Sequence, residues 1–213
     1  MKIKLRHFMG CFLFIAPLLV SANDANDAND DLLARLDAIK TISGVFTQSL
    51  RDDLGDIIDT SQGNFTLAKP AKIRWNVMLP LEQLIVSNAT LLWIYDPDLE
   101  QVIIESVDSN SQTTPIALFN GDNDDIHTHY QVSVINNEMT GDTFLLLPTD
   151  DASLFRRIEI SFDNLGPIML AITDSLDQVT RIDFHNIVLN ESVDPALFEF
   201  VVPADTDIIN NVQ

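Results

Sequence analysis

Along much of this chain, apolar and polar residues alternate, which is the pattern of a β-strand with one buried face. The alternation is clear over residues 45–50, 157–162 and 181–185. Because successive side chains on a strand point to opposite faces, each segment would place one face against an apolar core and the other in water. The pattern therefore predicts a mainly β protein.

Short turn signals separate the alternating segments. Aspartate, asparagine, proline and glycine favour tight turns. Clusters of these residues lie at 52–55, 96–98, 140–142, 163–166 and 174–177. About ten strands joined in this way form an antiparallel meander. We therefore expect a large, curved antiparallel sheet, with short helices at 114–119 and 194–197, where a proline stands near the start.

A helical pattern precedes the strands. Leu32, Leu36 and Ile39 recur at helical spacing behind Asp31, which suits a helix N-terminus. This predicts a short amphipathic helix over about 31–40. The predicted helices are the elements available to cover the apolar concave face of the sheet.

The segment before this helix repeats asparagine, aspartate and alanine over residues 23–30. Such a polar, low-complexity repeat predicts a disordered spacer. Residues 31–213 are long enough to bury one core and are expected to form a single domain.

The first 22 residues resemble a secretory leader. Basic residues are followed by an apolar run over 8–20 and by Val20-Ser21-Ala22, a small-residue cleavage pattern. This predicts a signal peptide over residues 1–22 and an exported protein. Two alternatives stay open, a permanent membrane anchor and lipidation at Cys11. The run is shorter than the roughly 20 residues of a membrane-spanning helix, and Cys11 lies inside the run rather than at its end.

The charge of the chain excludes some classes of partner. The formal net charge is −20, and removing the leader takes away three of the 12 basic residues and none of the 32 acidic ones, which leaves about −23. This charge excludes nucleic acid, disfavours anionic membrane surfaces and favours a soluble monomer. Adaptation to a saline medium explains the acidity equally well.

Candidate chemistry is sparse. His127 and His129 follow two aspartates, and on a strand this spacing would place both rings on one face, where a metal site could use them. The alternative is a solvated strand entry beside a loop, which we favour. We expect no metal and no other cofactor.

A series of short motifs runs in order from residue 31 to the end of the chain. The motifs are Asp31-Leu32-x-x-Arg35-Leu36, Phe46-Thr47-Gln48, Gln62-Gly63, Lys69-Pro70, Trp75, Ile85-Val86-Ser87, Leu92-Trp93-x-Tyr95-x-Pro97, Glu100-Gln101, Thr114-Pro115 and Phe198-x-Phe200-x-x-Pro203. Each motif alone is weak, but their order and spacing together resemble those of the LolA family, the periplasmic carriers of outer-membrane lipoproteins.

The resemblance implies a half-open, incomplete antiparallel β-barrel covered by short helices, whose apolar cavity takes the acyl chains of lipidated outer-membrane lipoproteins. It implies a periplasmic carrier rather than an enzyme. A LolCDE-type ABC transporter in the inner membrane would load the carrier, and the outer-membrane receptor LolB would unload it. The expectations drawn from the residues agree with this, since a carrier needs an apolar cavity and no catalytic group.

The resemblance also implies roles for single residues. Lys69 would hold the lid closed by hydrogen bonds to lid backbone, where most family members have arginine, and Leu36 would plug the cavity from the lid. Because lysine has a single ammonium group in place of a planar fork, this latch is expected to be looser. The alternative for Lys69 is an ordinary solvated charge.

Candidate cavity residues are aromatic or branched. Phe46, Trp75 and Trp93 lie on predicted strands and would line the cavity or the plain core. Ile73 and Ile116 stand where phenylalanine is usual in the family. Both shorten the side chain, so contacts with cargo would differ from those of the family.

Two further basic residues, Lys72 and Arg74, follow Lys69 closely. They would form a partner-facing basic patch near the cavity mouth, which would orient an acidic carrier. The alternative is again that both are solvated charges.

Two other functions stay open. The first is a LolB-like receptor, which would need a lipidated cysteine at the mature N-terminus. The second is a lipid-active hydrolase or metal-dependent enzyme that uses His127 and His129.

Overall fold

The computed structural model describes residues 22–107, 119, 124–135, 141–150 and 153–212. These residues form a 12-stranded sheet with a few helices. The strands are β1 (Thr41–Arg51), β2 (Ile57–Ala68), β3 (Lys72–Leu79), β4 (Gln83–Asn88), β5 (Leu91–Asp96), β6 (Gln101–Ser106), β7 (Tyr130–Ile135), β8 (Asp142–Pro148), β9 (Phe155–Phe162), β10 (Pro167–Asp174), β11 (Val179–Leu189) and β12 (Asp207–Asn210).

The strands follow the order β12-β6-β5-β4-β3-β2-β1-β11-β10-β9-β8-β7. Sequential strands pair as antiparallel hairpins from β1 to β6 and from β7 to β11, β1 pairs with β11, and β12 adds to β6 in parallel. The sheet is curved and open, with β7 and β12 at its two edges. This confirms the predicted mainly β fold, a half-open antiparallel barrel with few helices.

The centre of the sheet needs a glycine at one position. Gly63 on β2 lies between Phe46 on β1 and the β3 backbone. A Cβ atom at Gly63 would lie 1.9 Å from the Asn76 carbonyl oxygen and 3.0 Å from the Phe46 ring. A larger residue there would push β2 away from its neighbours.

The long helix α1 (Ala22–Ala38) begins earlier than the sequence pattern predicts. Ala28, Leu32 and Leu36 follow each other at four-residue spacing, and all three are buried. Alanine has a high helix propensity, and aspartates near the N-terminus of a helix interact favourably with its dipole. The repeat therefore extends the helix toward the N-terminus. The structure therefore corrects the prediction of a disordered spacer over residues 23–30, which are helical.

The described parts of the chain also contain two shorter helices. The second α-helix is α2 (Asp124–His129). A 3-10 helix spans Pro195–Phe198, with Asp194 accepting a hydrogen bond from the Ala196 amide, as the proline at 195 predicts. Of the predicted helix over 114–119, only Phe119 lies within the described residues. Among the described helices, none combines the length and the hydropathy that a membrane span requires.

Buried side chains form two clusters on opposite sides of the sheet. The larger lies on the concave face, between the sheet and α1, and includes Leu32, Leu36, Phe46, Phe65, Ile73, Trp75, Phe119, Ile126, Phe144, Ile160 and Phe184. The smaller contains Val86, Trp93 and Val102, with Tyr95, Phe200 and Val202 packed against them.

Candidate functional site

Aromatic rings fill the centre of the concave face. Phe46 stacks on Trp75 with ring centroids 3.9 Å apart and planes 25° from parallel. Phe65 approaches Trp75 at 5.3 Å and Phe184 at 5.4 Å. Because these rings come from adjacent strands, the register of β1, β2, β3 and β11 sets their contacts. The result is an apolar floor built from the middle of the sheet.

Helix α1 covers this floor. Leu36 is fully buried and belongs to the same cluster as Phe46, Ile73 and Trp75. The structure thus brings together four of the residues singled out in the sequence, one from the helix and three from the sheet. Ile116, another residue predicted to line the cavity, lies outside the described residues.

Lys69 lies at the C-terminal end of α1, in the turn between β2 and β3. Its Nζ atom donates a hydrogen bond to the Leu36 carbonyl oxygen at 3.1 Å and lies 3.4 Å from Oδ1 of Asp37. The Lys69 backbone amide also donates to the Lys40 carbonyl oxygen at 2.9 Å. A cation at the C-terminus of a helix interacts favourably with the exposed carbonyl groups.

A second connection to α1 was missed in the sequence. Arg35 Nη2 donates to Asp142 Oδ2 at 2.5 Å, which ties α1 to the start of β8, and Arg35 Nε donates to Asp31 Oδ1 at 3.1 Å. The guanidinium lies 5.2 Å from the Phe144 ring centroid. Burial opposes the charged form, but the hydrogen bonds and negative charges of the two aspartates outweigh it and raise the pKa of Arg35. The sequence signal was the Asp31–Arg35 spacing of four.

Asn190, just after β11, also fastens α1. Its side-chain amide donates to the Ala38 carbonyl oxygen at 2.9 Å, and its Oδ1 accepts from the Lys40 amide at 2.7 Å. The C-terminal end of α1 is therefore held by Lys69 and Asn190, and Arg35 holds its last turn from the β8 side. Nothing in the local pattern pointed to Asn190, because its partners lie at the other end of the chain.

A row of isoleucines extends the apolar floor toward the β12 edge. Trp75 pairs with Ile85, Ile85 with Ile94, and Ile94 with Ile103, so all four side chains share the concave face. The three isoleucines are half-buried, whereas Trp75 is buried. This row offers apolar surface that packing within the fold does not fully bury.

Trp93 does not belong to the concave cluster, which corrects the prediction that it lines the cavity. It pairs with Val86, which pairs with Arg74, so these side chains lie on the convex face. There the Trp93 ring centroid is 6.4 Å from that of Phe200. The prediction failed because alternation along a strand does not show which of its faces is concave.

The register of β3 places Lys72 and Arg74, the two residues of the predicted basic patch, on the same face of the sheet, because they are two positions apart. Arg74 Nη1 donates to the Leu197 carbonyl oxygen at 3.1 Å and so fastens the C-terminal 3-10 helix to the convex face. A partner-facing role for the two residues stays a prediction. Lys72 pairs with Asn88 and is half-buried at the beginning of β3.

His127 and His129 lie on α2 and not on a strand, which corrects the geometry assumed for a metal site. Residues two apart on a helix do not share a face. The Nδ1 atom of His127 instead makes a hydrogen bond with the Asn29 side chain on α1. The described parts of the chain contain no group of three residues suited to hold a metal.

An apolar concave face under a fastened helix is an arrangement that a protein binding apolar ligands can use, and comparison with known proteins identifies the family. The family described as outer membrane lipoprotein carrier protein LolA matches residues 37–201. The chain belongs to this family.

Curated relatives agree with this assignment, and a solved structure agrees with the fold. An outer-membrane lipoprotein carrier protein from Alcanivorax borkumensis is 33% identical over 199 residues, 93% of this chain and 95% of that protein. One from Francisella philomiragia subsp. philomiragia is 37% identical over 191 residues, 88% of this chain and 90% of that protein. An uncharacterized conserved protein from Thermus thermophilus aligns over 85% of this chain and 98% of its own at 10% identity, with a TM-score of 0.54, which supports the fold alone.

Proposed function

We propose that this protein carries outer-membrane lipoproteins through the periplasm and shields their acyl chains on the concave face under α1. The observation that supports this most is an apolar floor whose helical cover is held at a few polar contacts. Each methylene group removed from water contributes about 0.8 kcal/mol, so acyl chains need such a cover to cross an aqueous compartment. The floor candidates are Phe46, Ile73 and Trp75, with the isoleucine row beside them.

We propose Lys69 as the latch of this cover and Leu36 as its plug. The Lys69–Leu36 hydrogen bond is made only while α1 is closed, so it stabilises the empty protein relative to the loaded one. Cargo that displaces α1 must break this contact, and closing α1 again favours release. Without Lys69, the loaded state is favoured and cargo is retained.

The route is the finer part of the proposal. Residues 1–22 would direct export, a LolCDE-type transporter of the inner membrane would load the carrier, and the receptor LolB of the outer membrane would take the cargo. One-way movement requires only that the acceptor binds the acyl chains more tightly than the carrier does.

A release assay tests the carrier function. Residues 23–213 are added to spheroplasts, and newly made triacylated lipoprotein is sought in the supernatant as a one-to-one complex. The expected result is a complex with the wild type. If the folded protein releases no lipoprotein from spheroplasts with an active transporter, the carrier function is wrong.

The latch is tested in the same assay with the Lys69→Leu variant. It is expected to form the complex and to fail to pass the cargo to outer membranes. Lys40→Leu is the matched control, because it removes one exposed positive charge near the same end of α1 and leaves the Leu36 contact intact. Normal transfer by Lys69→Leu would contradict the latch.

Neither alternative function gains support. The family that the chain matches contains carriers and not enzymes, and its relatives are named as carriers and not as receptors. The two histidines proposed for a hydrolase lie on α2, one of them bonded to Asn29.

A further inference from the structure

Five hairpin turns lie side by side at one end of the sheet. They join β5 to β6, β3 to β4, β1 to β2, β10 to β11 and β8 to β9, and the strand order places them next to one another in that sequence. Each turn carries one exposed leucine, and the exposed fraction of these leucines lies between 66% and 82%. We call these residues the leucine rim: Leu99, Leu81, Leu54, Leu176 and Leu154.

The rim leucines are held in folded turns. In three of the turns, an aspartate accepts a hydrogen bond from the backbone amide of the leucine itself, and a further bond joins two neighbouring turns. The bonds are Leu54 N to Asp52 Oδ1 at 3.0 Å, Leu99 N to Asp96 Oδ1 at 3.1 Å, Leu176 N to Asp174 Oδ1 at 2.8 Å and Ser175 N to Leu154 O at 3.1 Å. These bonds fix the backbone from which Leu54, Leu99, Leu154 and Leu176 project.

The rim has a regular spacing. Consecutive hairpins are two strands apart, so neighbouring rim leucines stand roughly 10 Å from each other along the curved edge. No rim leucine belongs to either of the two buried clusters described above. The fold therefore does not bury these leucine side chains. Burying one of them against a partner would contribute about 1.5–3 kcal/mol.

The opposite end of the sheet differs. Its described turns, at 69–71, 89–90 and 163–166, contain one exposed leucine, Leu165, at 79%. A single exposed leucine is ordinary on a protein surface. The difference between the two ends is that each of five adjacent hairpins at the rim carries one, whereas the described turns at the opposite end carry one in all. Leu165 is also held by an aspartate that accepts from its amide, at 2.7 Å, so it is a matched control for the rim.

The charged residues beside the rim leucines indicate which kind of partner surface would bind the rim. Acidic residues lie within two positions of Leu54, Leu81, Leu99 and Leu176, and Asp150 and Asp151 precede Leu154 by four and three positions. The nearby arginines are engaged: Arg51 donates to the Gly55 carbonyl oxygen, Arg156 pairs with Asp177 and Arg157 pairs with Glu159. The acidic residues beside the rim leucines repel anionic lipids and a second copy of the same chain. Leucines and acidic residues together complement a protein surface with apolar pockets bordered by lysine or arginine.

We propose that the leucine rim docks a membrane-bound protein whose facing surface is apolar and basic, and that this protein gives or takes the cargo. The partner's role rests on the proposed carrier function. The rim lies at the end of the sheet opposite the Lys69 turn, so docking there leaves the contacts of α1 with Lys69 free to break.

Membrane binding tests the proposal. The chain from residue 23 to 213 is incubated with right-side-out inner-membrane vesicles and with outer membranes, as wild type, as the fivefold variant (Leu54→Ser, Leu81→Ser, Leu99→Ser, Leu154→Ser, Leu176→Ser) and as Leu165→Ser. The fivefold variant is expected to bind at least about tenfold more weakly, and Leu165→Ser like the wild type. Treating the membranes with protease should abolish binding, and about 0.5 M salt should weaken it.

Several results would contradict the proposal that the leucine rim docks a membrane-bound protein. Equal binding of the wild type and the fivefold variant would do so, as would equal binding to protein-free liposomes of the extracted lipids, which would make lipid the occupant. Concentration-dependent dimerisation of the wild type that the fivefold variant loses would point to a second copy instead.

Uptake of a synthetic triacylated lipopeptide separates this inference from the carrier function. The fivefold variant is expected to take up the lipopeptide as the wild type does. If the wild type takes it up and the fivefold variant still docks normally, the rim is wrong and the carrier function stands. If the wild type takes up none, the carrier function fails, and the partner assignment fails with it.

Discussion

In the part of the sheet from β7 to β3, the largest buried side chains lie on the concave face under α1, whereas between β4 and β6 they lie on the convex face under the C-terminal segment. The first part places Phe46 and Trp75 inside, and the second places Trp93 outside. One sheet thus buries opposite faces in its two parts.

This difference shows how a small protein can keep a stable fold and still have unfilled apolar surface. Between β4 and β6, packing on the convex face around Trp93 stabilises the strands, so the concave isoleucines need not be sealed. The row from Ile85 to Ile103 therefore stays half-buried beside the closed floor. Acyl chains that enter under α1 would find this row next to the aromatic rings.

The largest expected effect comes from the centre of the concave cluster. Phe46→Ala removes a ring that is 1% exposed and stacks on Trp75, and it is expected to lower the free energy of unfolding by about 3–5 kcal/mol. Urea unfolding of the purified chain measures this. A loss below about 1 kcal/mol would mean that the floor is not part of the packed core.

Trp93→Ala tests the convex cluster and is expected to cost slightly less, about 3 kcal/mol, because the cluster around it is smaller. At a temperature where the variant stays folded, its uptake of a triacylated lipopeptide should match that of the wild type. Trp75→Phe, a milder change on the concave face, should weaken uptake. Reduced uptake by the folded Trp93→Ala variant alone would reverse the assignment of the two faces.

A smaller effect is expected at the cover. Lys69→Leu removes a charged hydrogen bond to the end of α1, worth about 1–2 kcal/mol because Asp37 is largely exposed. Amide hydrogen exchange in α1 should speed up by roughly tenfold or more, while exchange in β5 and β6 stays unchanged. Unaltered protection of α1, with Lys40→Leu as the reference, would show that Lys69 does not hold the cover.

The smallest effect concerns alkaline pH. Burial raises the pKa of Tyr130, which lies at the start of β7 near α1, above its usual value of 10.0. The neutral phenol is thus favoured in the folded state, so its stabilising contribution is complete below the unfolded pKa and is lost as pH rises through the folded one. Tyr130→Phe should flatten the loss of stability above about pH 10, with Tyr95→Phe as control. Identical alkaline unfolding curves would contradict this.

The sheet was predictable because its signals are local. Alternation at 181–185 and the turn at 163–166 depend on neighbouring residues, and the structure has β11 and a turn there. The start of α1 was not predictable, because a polar repeat does not show that Ala28 will pack against apolar side chains. The N-terminal half of a helix depends on what it packs against.

The site was predictable only in part, for a similar reason. The family motifs pointed to Lys69, Leu36 and Phe46, which lie at the cover and the floor. Which face of β5 is concave depends on the curvature of the whole sheet, so Trp93 was assigned to the wrong side. The partners of Arg35 and Asn190 are remote in sequence, and no local pattern connects them.

The chain contains two tryptophans, and the register places them on opposite faces of the sheet. The most direct test of the binding face is therefore fluorescence quenching by a lipopeptide with brominated acyl chains. Two variants, Trp93→Phe and Trp75→Phe, each leave one tryptophan. They are compared at lipopeptide concentrations that saturate binding, because Trp75→Phe is expected to weaken uptake. Strong quenching of Trp75 with little change at Trp93 is the predicted result, and quenching of Trp93 alone would contradict a cavity on the concave face.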